Sequence, residues 1–458
     1  MPHENPQCVD TLSLGDTTEI AKKAPKLLRS SQPDHPRFLS YDNKRIHLLP
    51  QLKRLDVITR EGMLNAAQIF PVKINSYVAD QLVDWNAAPD DPIYRLLFPH
   101  PDMLSQWAKD EVNAIREGNF SKEETNDRLR NIRDQMNPHP AGQSSNVPKL
   151  GKKHVDGVQH KYRETTLYFP KESQTCHSYC SFCFRWPQFV ETSAPKFEAN
   201  DLGVLKSYLQ KTLSITDLLL TGGDPMVMNS RRLGNLCDVL LHPDLKHVST
   251  VRLGTKSLSY WPYRFLTDPD SEQFLDHLKR LTQAGKHVAI MVHINHYREM
   301  QTDAFRKSVA ALLATGATLR SQAPVIRHVN DDAEVWSKMW MLQTNLGIQP
   351  YYMFVERDTG AVDYFSIPLV KAHEIYKAAV STVSGLARTA RGPVMSTDPG
   401  KIQILGPVQV NGKRALALTM LQARNPDLVN VPFLAKYSET ATWIDQLEPF
   451  DQASPFPF

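Results

Sequence analysis

Short apolar runs recur through the second half of the chain: "TLYF" (166–169), "DLLLTGG" (217–223), "TVRLGT" (250–255), "HVAIMVHI" (287–294), "TLRSQAPVI" (318–326) and "YYMFV" (351–355). Each has the length and composition of a strand. The stretches between them are long enough for a helix, and "SEQFLDHLKRLTQAG" and "DAFRKSVAALLATG" carry helical spacing. Strands alternating with helices predict an α/β fold on a parallel sheet, open or rolled into a partial barrel. Polar and glycine-rich residues gather at the C-terminal ends of these runs, where such folds place their ligands.

The flanking regions follow other rules. Residues 1–40 are polar and weakly periodic, the pattern of a loosely ordered leader. From 44 to about 135, segments such as "EGMLNAAQIF" and "SKEETNDRLRNIRDQM" show helical spacing, and Ser121 with Glu124 forms a capping-box start. Pro, Gly and Ser accumulate over 134–153 and mark a linker. Near the end, "IQILGPVQVNGKRALAL" reads as a β-hairpin turning at Asn411-Gly412. The expected organisation is a leader (1–40), a helical N-terminal region with linker (41–153), an α/β core (154–385) and a C-terminal hairpin and tail (386–458).

Composition narrows the function classes. At 458 residues, 41% hydrophobic and 22% charged, the chain is ordinary for a globular protein. A formal charge of +4 is too small at this length to argue for nucleic acid or an anionic membrane surface. No apolar run approaches the ~20 residues of a membrane span, and the start lacks a signal pattern. The five cysteines are odd in number and clustered, so they do not form a disulfide framework. A reducing, cytoplasmic setting is expected.

Three of the five lie in "CHSYCSFCFRW" (176–186), at Cys176, Cys180 and Cys183. They admit three readings. They could be buried structural cysteines, though Ser, Tyr and His interleave them. They could hold zinc with His177, though adjacent ligands fit a tetrahedron poorly and no second C-x-x-C pair exists. Or they could hold a four-iron cluster, leaving one iron open to an exchangeable ligand. Other motifs are equally double. "TGGDP" at 221–225 is a tight turn or a backbone that a ligand can approach. His293 in "VHINH" is a core histidine or a ligand, and Arg185 a solvated charge or a carboxylate fork.

Cys176-x3-Cys180-x2-Cys183, with Phe182 before the last cysteine, resembles the signature of radical S-adenosylmethionine (SAM) enzymes. The ordered set "HKY" (160–162), "CSFCFR" (180–185), "LLLTGGDPM" (218–226), "VRLGTKS" (251–257), "PYR" (262–264), "VHINH" (292–296), "VND" (329–331) and "PYYMF" (350–354) resembles the lysine 2,3-aminomutase family within it. The resemblance implies a partial (βα)6 barrel of radical SAM type. It implies a [4Fe–4S] cluster on the three cysteines, with SAM as the ligand of the open iron. Phe182, Gly222, Gly223, Asp224, His293 and Gln322 would face SAM, and Arg185 would bind the substrate α-carboxylate.

The family also uses pyridoxal phosphate (PLP) on a lysine in its C-terminal third. Counting from "VSG" puts Lys401 at that spacing, although the family's glycine run is reduced here to Pro399-Gly400. Lys161 and Tyr162 match the basic–aromatic pair at the PLP ring, while Thr165 stands where arginine is frequent. The expected reaction is movement of an α-amino group to the β-carbon. Lysine enzymes of the family hold the distal ammonium with two aspartates; ungapped counting places Arg357 and Val394 at those positions. An acidic, glutamate-like amino acid is therefore expected in place of lysine, the alternative being a one-residue shift that brings Asp358 or Glu356 into the pocket and turns Arg357 out to solvent. The rivals are a PLP-independent radical enzyme, action on a protein lysine, or a zinc-stabilised interaction module. The expected partners are an amino-acid substrate, a reducing electron donor and further copies of the chain, with neither nucleic acid nor membrane.

Overall fold

The computed structural model describes residues 36–137, 144–193, 196–199, 201–451, 453 and 455–458. The chain divides into two units, Met1–Arg37 and Phe38–Phe458. The leader expected over 1–40 and the middle of the 134–153 linker lie largely outside the described residues.

The second unit is a mixed α/β fold around one eleven-stranded sheet whose strands neighbour one another in chain order. They are β1 (Val158–Tyr162), β2 (Thr165–Tyr168), β3 (Asp217–Leu220), β4 (Thr250–Thr255), β5 (His287–His293) and β6 (Thr318–Val325). The series continues with β7 (Ile348–Val355), β8 (Arg391–Ser396), β9 (Gly400–Val410), β10 (Lys413–Ala423) and β11 (Pro432–Lys436). From β2 to β8 every pairing is parallel. β1 joins β2 antiparallel, and β8 through β11 form an antiparallel extension.

A parallel sheet needs a crossover between successive strands, and helices supply them. In β5 every position from Val288 to Val292 is buried, the continuous apolar run of a strand covered on both faces. The covering helices present apolar stripes: Phe274, Leu278 and Leu281 on Ser271–Gln283, and Phe305, Val309 and Leu312 on Asp303–Leu313. Each such side chain contributes ~1.5–3 kcal/mol by leaving water.

All six strands expected from the apolar runs are present. β8 was not anticipated, because Gly392 and Pro393 disguise "RGPVMS" as a loop. The glycine is required there: a Cβ would meet Met353 Cβ and its carbonyl oxygen at 2.7 Å. The hairpin turns at Asn411 (φ 49°) and Gly412 (φ 76°), both in the left-handed region that a two-residue turn demands.

The N-terminal region is helical, and the capping box is present: Ser121 Oγ accepts from Glu124 N at 3.2 Å, and Glu124 Oε2 accepts from Ser121 N at 2.8 Å. Its core, built on residues such as Phe70, Ile93 and Leu97, extends to Phe182, Tyr260 and partly buried Cys180. The region therefore packs directly on the cysteine loop.

Candidate functional site

The loop that follows β2 carries the three cysteines, all free and half-buried. It is held from two sides. On the N-terminal side, Tyr179 N donates to Lys73 O at 2.9 Å, Ser181 N to Leu96 O at 2.9 Å, and Asn75 N to Ser178 Oγ at 3.1 Å. On the sheet side, Gly223 N donates to Ser173 O at 2.7 Å and Asp224 N to Thr175 O at 2.8 Å. The two glycines are explained by this close approach. A Cβ on Gly222, at φ +147°, would lie 2.3 Å from Ser173 Oγ, and one on Gly223 would lie 2.4 Å from Thr175 O. The amides of Gly223 and Asp224 thus serve the loop.

Asp224 is buried and accepts from Thr255 Oγ1 (2.8 Å), Lys256 N (2.9 Å), Ser257 Oγ (2.9 Å) and Met226 N (2.9 Å). Burial pushes its pKa up, against the donors that favour the charged form. Ser257 Oγ also meets His177 Nδ1 at 2.9 Å, so one ring nitrogen of His177, a possible zinc ligand, is already engaged by a hydroxyl. Burial holds that imidazole neutral, its pKa near about 3.

Behind the loop lies a buried polar network that single motifs did not reveal. Lys256 Nζ donates to Glu299 Oε2 (2.6 Å), Asn295 Oδ1 (3.0 Å) and His293 O (3.3 Å). Glu299 Oε1 accepts from the amides of Asn295 (2.8 Å) and His296 (3.0 Å). Asn330 Nδ2 completes it, donating to Asn295 O at 3.0 Å. "TKS", "VHINH" and "VND" therefore converge in space. Arg264 of "PYR" clamps the turn after Asp224, donating to Met226 O (2.7 Å) and Met228 O (3.0 Å). The signal for Lys256 was its place in "VRLGTKS"; Glu299 had none, because its partner is 43 residues away.

Cys180 Sγ lies 3.4 Å from Tyr260 Oη. Burial pushes the thiols up, Cys180 to about 11 and Cys183 to about 12, so in the free protein they are protonated donors. Among the described residues, no three His, Cys, Asp or Glu side chains are gathered as a single metal ion requires. In a cluster each thiolate binds its own iron, so the sulfurs stand further apart than ligands of one ion. The donor set of three free thiols on one loop fits a cluster better than zinc.

Around the thiols, Phe182 packs edge-on against the His293 ring (5.7 Å), at the end of β5. Gln322 sits where β6 and β7 shift register. Arg185 is buried over the Phe169 ring (4.6 Å), with Nη2 donating to Gln174 Oε1 at 3.0 Å. Among the described residues its Nε has no hydrogen-bond partner, and burial lowers its pKa to about 10. An orphan donor on a buried cation fits an anionic ligand. Asn295 Nδ2 is orphaned likewise.

The second half of the site gathers at the C-terminal end of β8. Lys161 Nζ, from β1 at the far edge of the ladder, donates to Thr397 O. In a flat sheet β1 and β8 would be ~34 Å apart. The sheet is therefore strongly curved. Lys401 opens β9, and its Nζ donates to Gln422 Oε1 of the register partner on β10. It lies 5.0 Å from the Tyr162 centroid and 5.6 Å from that of Tyr352. Burial, reinforced by Arg252 and Lys161, lowers its pKa to about 7. Burial and Arg424 lower Lys161 to about 8. A half-buried amine whose proton burial loosens, set between aromatic faces with further cations nearby, fits an aldehyde- and phosphate-bearing cofactor.

Arg357 follows β7 and is 22% exposed, with Nε 3.5 Å from Asp358 Oδ1. It lies 5.7 Å from the Phe184 and Trp443 ring centroids. Glu356 beside it is buried; burial pushes its pKa up against the neighbouring Arg357, and its charge is felt at Cys183. Val394 is fully buried in β8.

No protein-family model matches the chain. A protein of Aquifex aeolicus named "Putative L-lysine 2,3-aminomutase" is 30% identical over 366 residues, 79% of this chain and 86% of that one. The L-lysine 2,3-aminomutase of Methanococcus maripaludis is 24% identical over 70% of this chain and 63% of its own. That of Bacillus subtilis is 25% identical over 51% of this chain and 46% of its own. Among solved structures, Streptococcus suis SuiB bound to S-adenosylmethionine overlaps 68% of this chain and 66% of that one, at 12% identity and a TM-score of 0.34, too low to define a shared fold. The fold and the site define a mixed α/β protein with a three-thiol loop at the C-terminal ends of a parallel sheet. The chain belongs to the lysine 2,3-aminomutase family of the radical SAM superfamily.

Proposed function

We propose that this protein is a radical SAM amino-acid 2,3-aminomutase, moving an amine from C2 to C3 of its substrate. The sheet would then be a partial barrel of radical SAM type, a reading supported by the contact between Lys161 and Thr397. Cys176, Cys180 and Cys183 would hold a four-iron cluster with SAM, and Lys401 would hold PLP beside Lys161 and Tyr162. When bound, these groups supply a hydrogen-abstracting radical and an electron sink for the moving amine. The chain's own residues bind, orient and keep water out. Arg185 takes the α-carboxylate through its free Nε. Phe182, Gly222, Gly223, Asp224, His293 and Gln322 shape the SAM side, and the buried network behind the loop fixes their positions. The observation that carries the reading is Lys401 itself: a lysine with a pKa of about 7, flanked by two rings, in a chain with a three-thiol loop.

For the distal end of the substrate, Arg357 supports an acidic amino acid, since its guanidinium stands near two aromatic rings with Nε 3.5 Å from Asp358 Oδ1, and a bidentate fork can take a further carboxylate. A second reading is favoured by Glu356, whose buried carboxyl beside Cys183 would suit a cationic or hydrogen-bond-donating side chain. The test is anaerobic incubation of reconstituted enzyme with glutamate and with lysine, resolving α- from β-amino acids. The acidic reading expects β-glutamate, lost in Arg357→Ala. Efficient β-lysine formation, lost in Glu356→Gln and unaffected by Arg357→Ala, would establish the second. Neither product from either substrate or from other amino acids would contradict the aminomutase assignment.

A further inference from the structure

The three thiols have unequal surroundings. Cys183 lies near Arg185 and Glu356, and Cys176 near Asp224 and Lys73. Among the described residues, Cys180 is the one of the three with a phenol hydroxyl in hydrogen-bond reach of its sulfur, Tyr260 Oη at 3.4 Å. Tyr260 is 1% exposed, and its position is fixed from several directions. Its carbonyl accepts from Asn75 Nδ2 at 2.8 Å, its amide donates to Lys256 O at 2.9 Å, and Lys256 Nζ sits 4.7 Å from its ring centroid. The ammonium is in turn anchored by Glu299 at 2.6 Å. Nothing in the loop requires a hydroxyl here for packing, since phenylalanine would fill the same volume.

Resting on the assignment of the cluster to these cysteines, we propose that Tyr260 is a positioning residue that tunes the cluster's reduction potential through its contact with Cys180. In the free chain the thiol donates to the phenol oxygen. Once Cys180 is a thiolate the roles reverse, and the phenol O–H donates to sulfur. Reduction adds negative charge to the cluster and its thiolates, so a donor at sulfur stabilises the reduced state more than the oxidised one. The Lys256 ammonium beside the ring acts in the same sense. Tyr260 thus makes the cluster easier to reduce, the step on which SAM cleavage depends.

The experiment is a potentiometric titration of the reconstituted full chain, followed by electron paramagnetic resonance, with iron content measured on the same samples. Tyr260→Phe should keep its iron and lower the reduction equilibrium constant about tenfold, a shift of ~59 mV to more negative potential for one electron. Tyr376→Phe, which removes a hydroxyl bonded to Ala390 O (2.8 Å) away from the cluster, should leave the potential unchanged. An unchanged potential in Tyr260→Phe overturns the inference alone. So does loss of iron from a folded Tyr260→Phe, which would make the residue a structural prop. A wild-type chain that takes up no cluster overturns the cluster assignment and this inference with it.

Discussion

Two half-buried or buried lysines, one on each side of the site, have opposite surroundings. Lys256 ends in a full set of acceptors: Glu299 carboxylate, Asn295 amide and His293 carbonyl. Lys401 has a single amide acceptor, Gln422, two aromatic faces, and no carboxylate within ion-pair reach among the described residues. The first is an ammonium built into the scaffold, tying β4 to the segment after β5 behind the cysteine loop. The second is an amine that burial has made ready to lose its proton. Burial with a partner makes structure, and burial without one makes reactivity.

The strongest way to break this comparison is to remove the reactive groups. Cys176→Ala, Cys180→Ala and Cys183→Ala should each abolish iron loading and SAM cleavage, while Cys237→Ala, buried among helices, should retain both; iron and sulfide analysis decides. Lys401→Ala should lose the borohydride-stable pyridoxyl adduct, read by mass spectrometry, yet still cleave SAM slowly. An adduct retained elsewhere would move the anchor.

Stability separates the lysines next. Lys256→Met strands Glu299, fully buried, and should cost about 3–5 kcal/mol in urea unfolding. Lys401→Met removes an amine whose charged form burial disfavours, and should leave stability at neutral pH unchanged or raised. Equal effects would dissolve the distinction. Gly222→Ala, facing Ser173 Oγ at 2.3 Å, should cost about 1–3 kcal/mol and loosen the loop. A further test is in pH. With its folded pKa near about 7 against 10.5 ordinarily, Lys401 binds its proton less tightly folded than unfolded. Its contribution to stability therefore rises with pH between those values, and adduct formation with added PLP rises through pH 7 in parallel. A flat profile from 6 to 8 would mean a protonated Lys401.

The cysteine side of the candidate site was legible in sequence because its residues are local. Three thiols within eight positions announce a loop, and the turn residues at 222–224 follow the next apolar run. The lysine side was legible only by counting against a family pattern. Lys161, Tyr162, Tyr352, Lys401 and Gln422 come from four strands, brought together by curvature of the sheet and the β9–β10 register, neither of which leaves a periodic mark. β8 was hidden by Gly392 and Pro393, and Glu299 by its distance from Lys256. The distal pocket was read by ungapped counting, which put Arg357 first and Glu356 or Asp358 one residue away, because a loop beyond the end of β7 carries no periodicity that fixes which side chain turns inward.

The central claim is that the cysteine loop and the Lys401 pocket serve one reaction. The direct measurement uses the substrate that gives product, deuterated at C3, with SAM, PLP and dithionite. Recovery of deuterium in 5′-deoxyadenosine is followed by mass spectrometry in wild type and in Lys401→Ala. The account predicts transfer in the wild type and none above background in the variant, although both cleave SAM. Equal transfer in Lys401→Ala would contradict it.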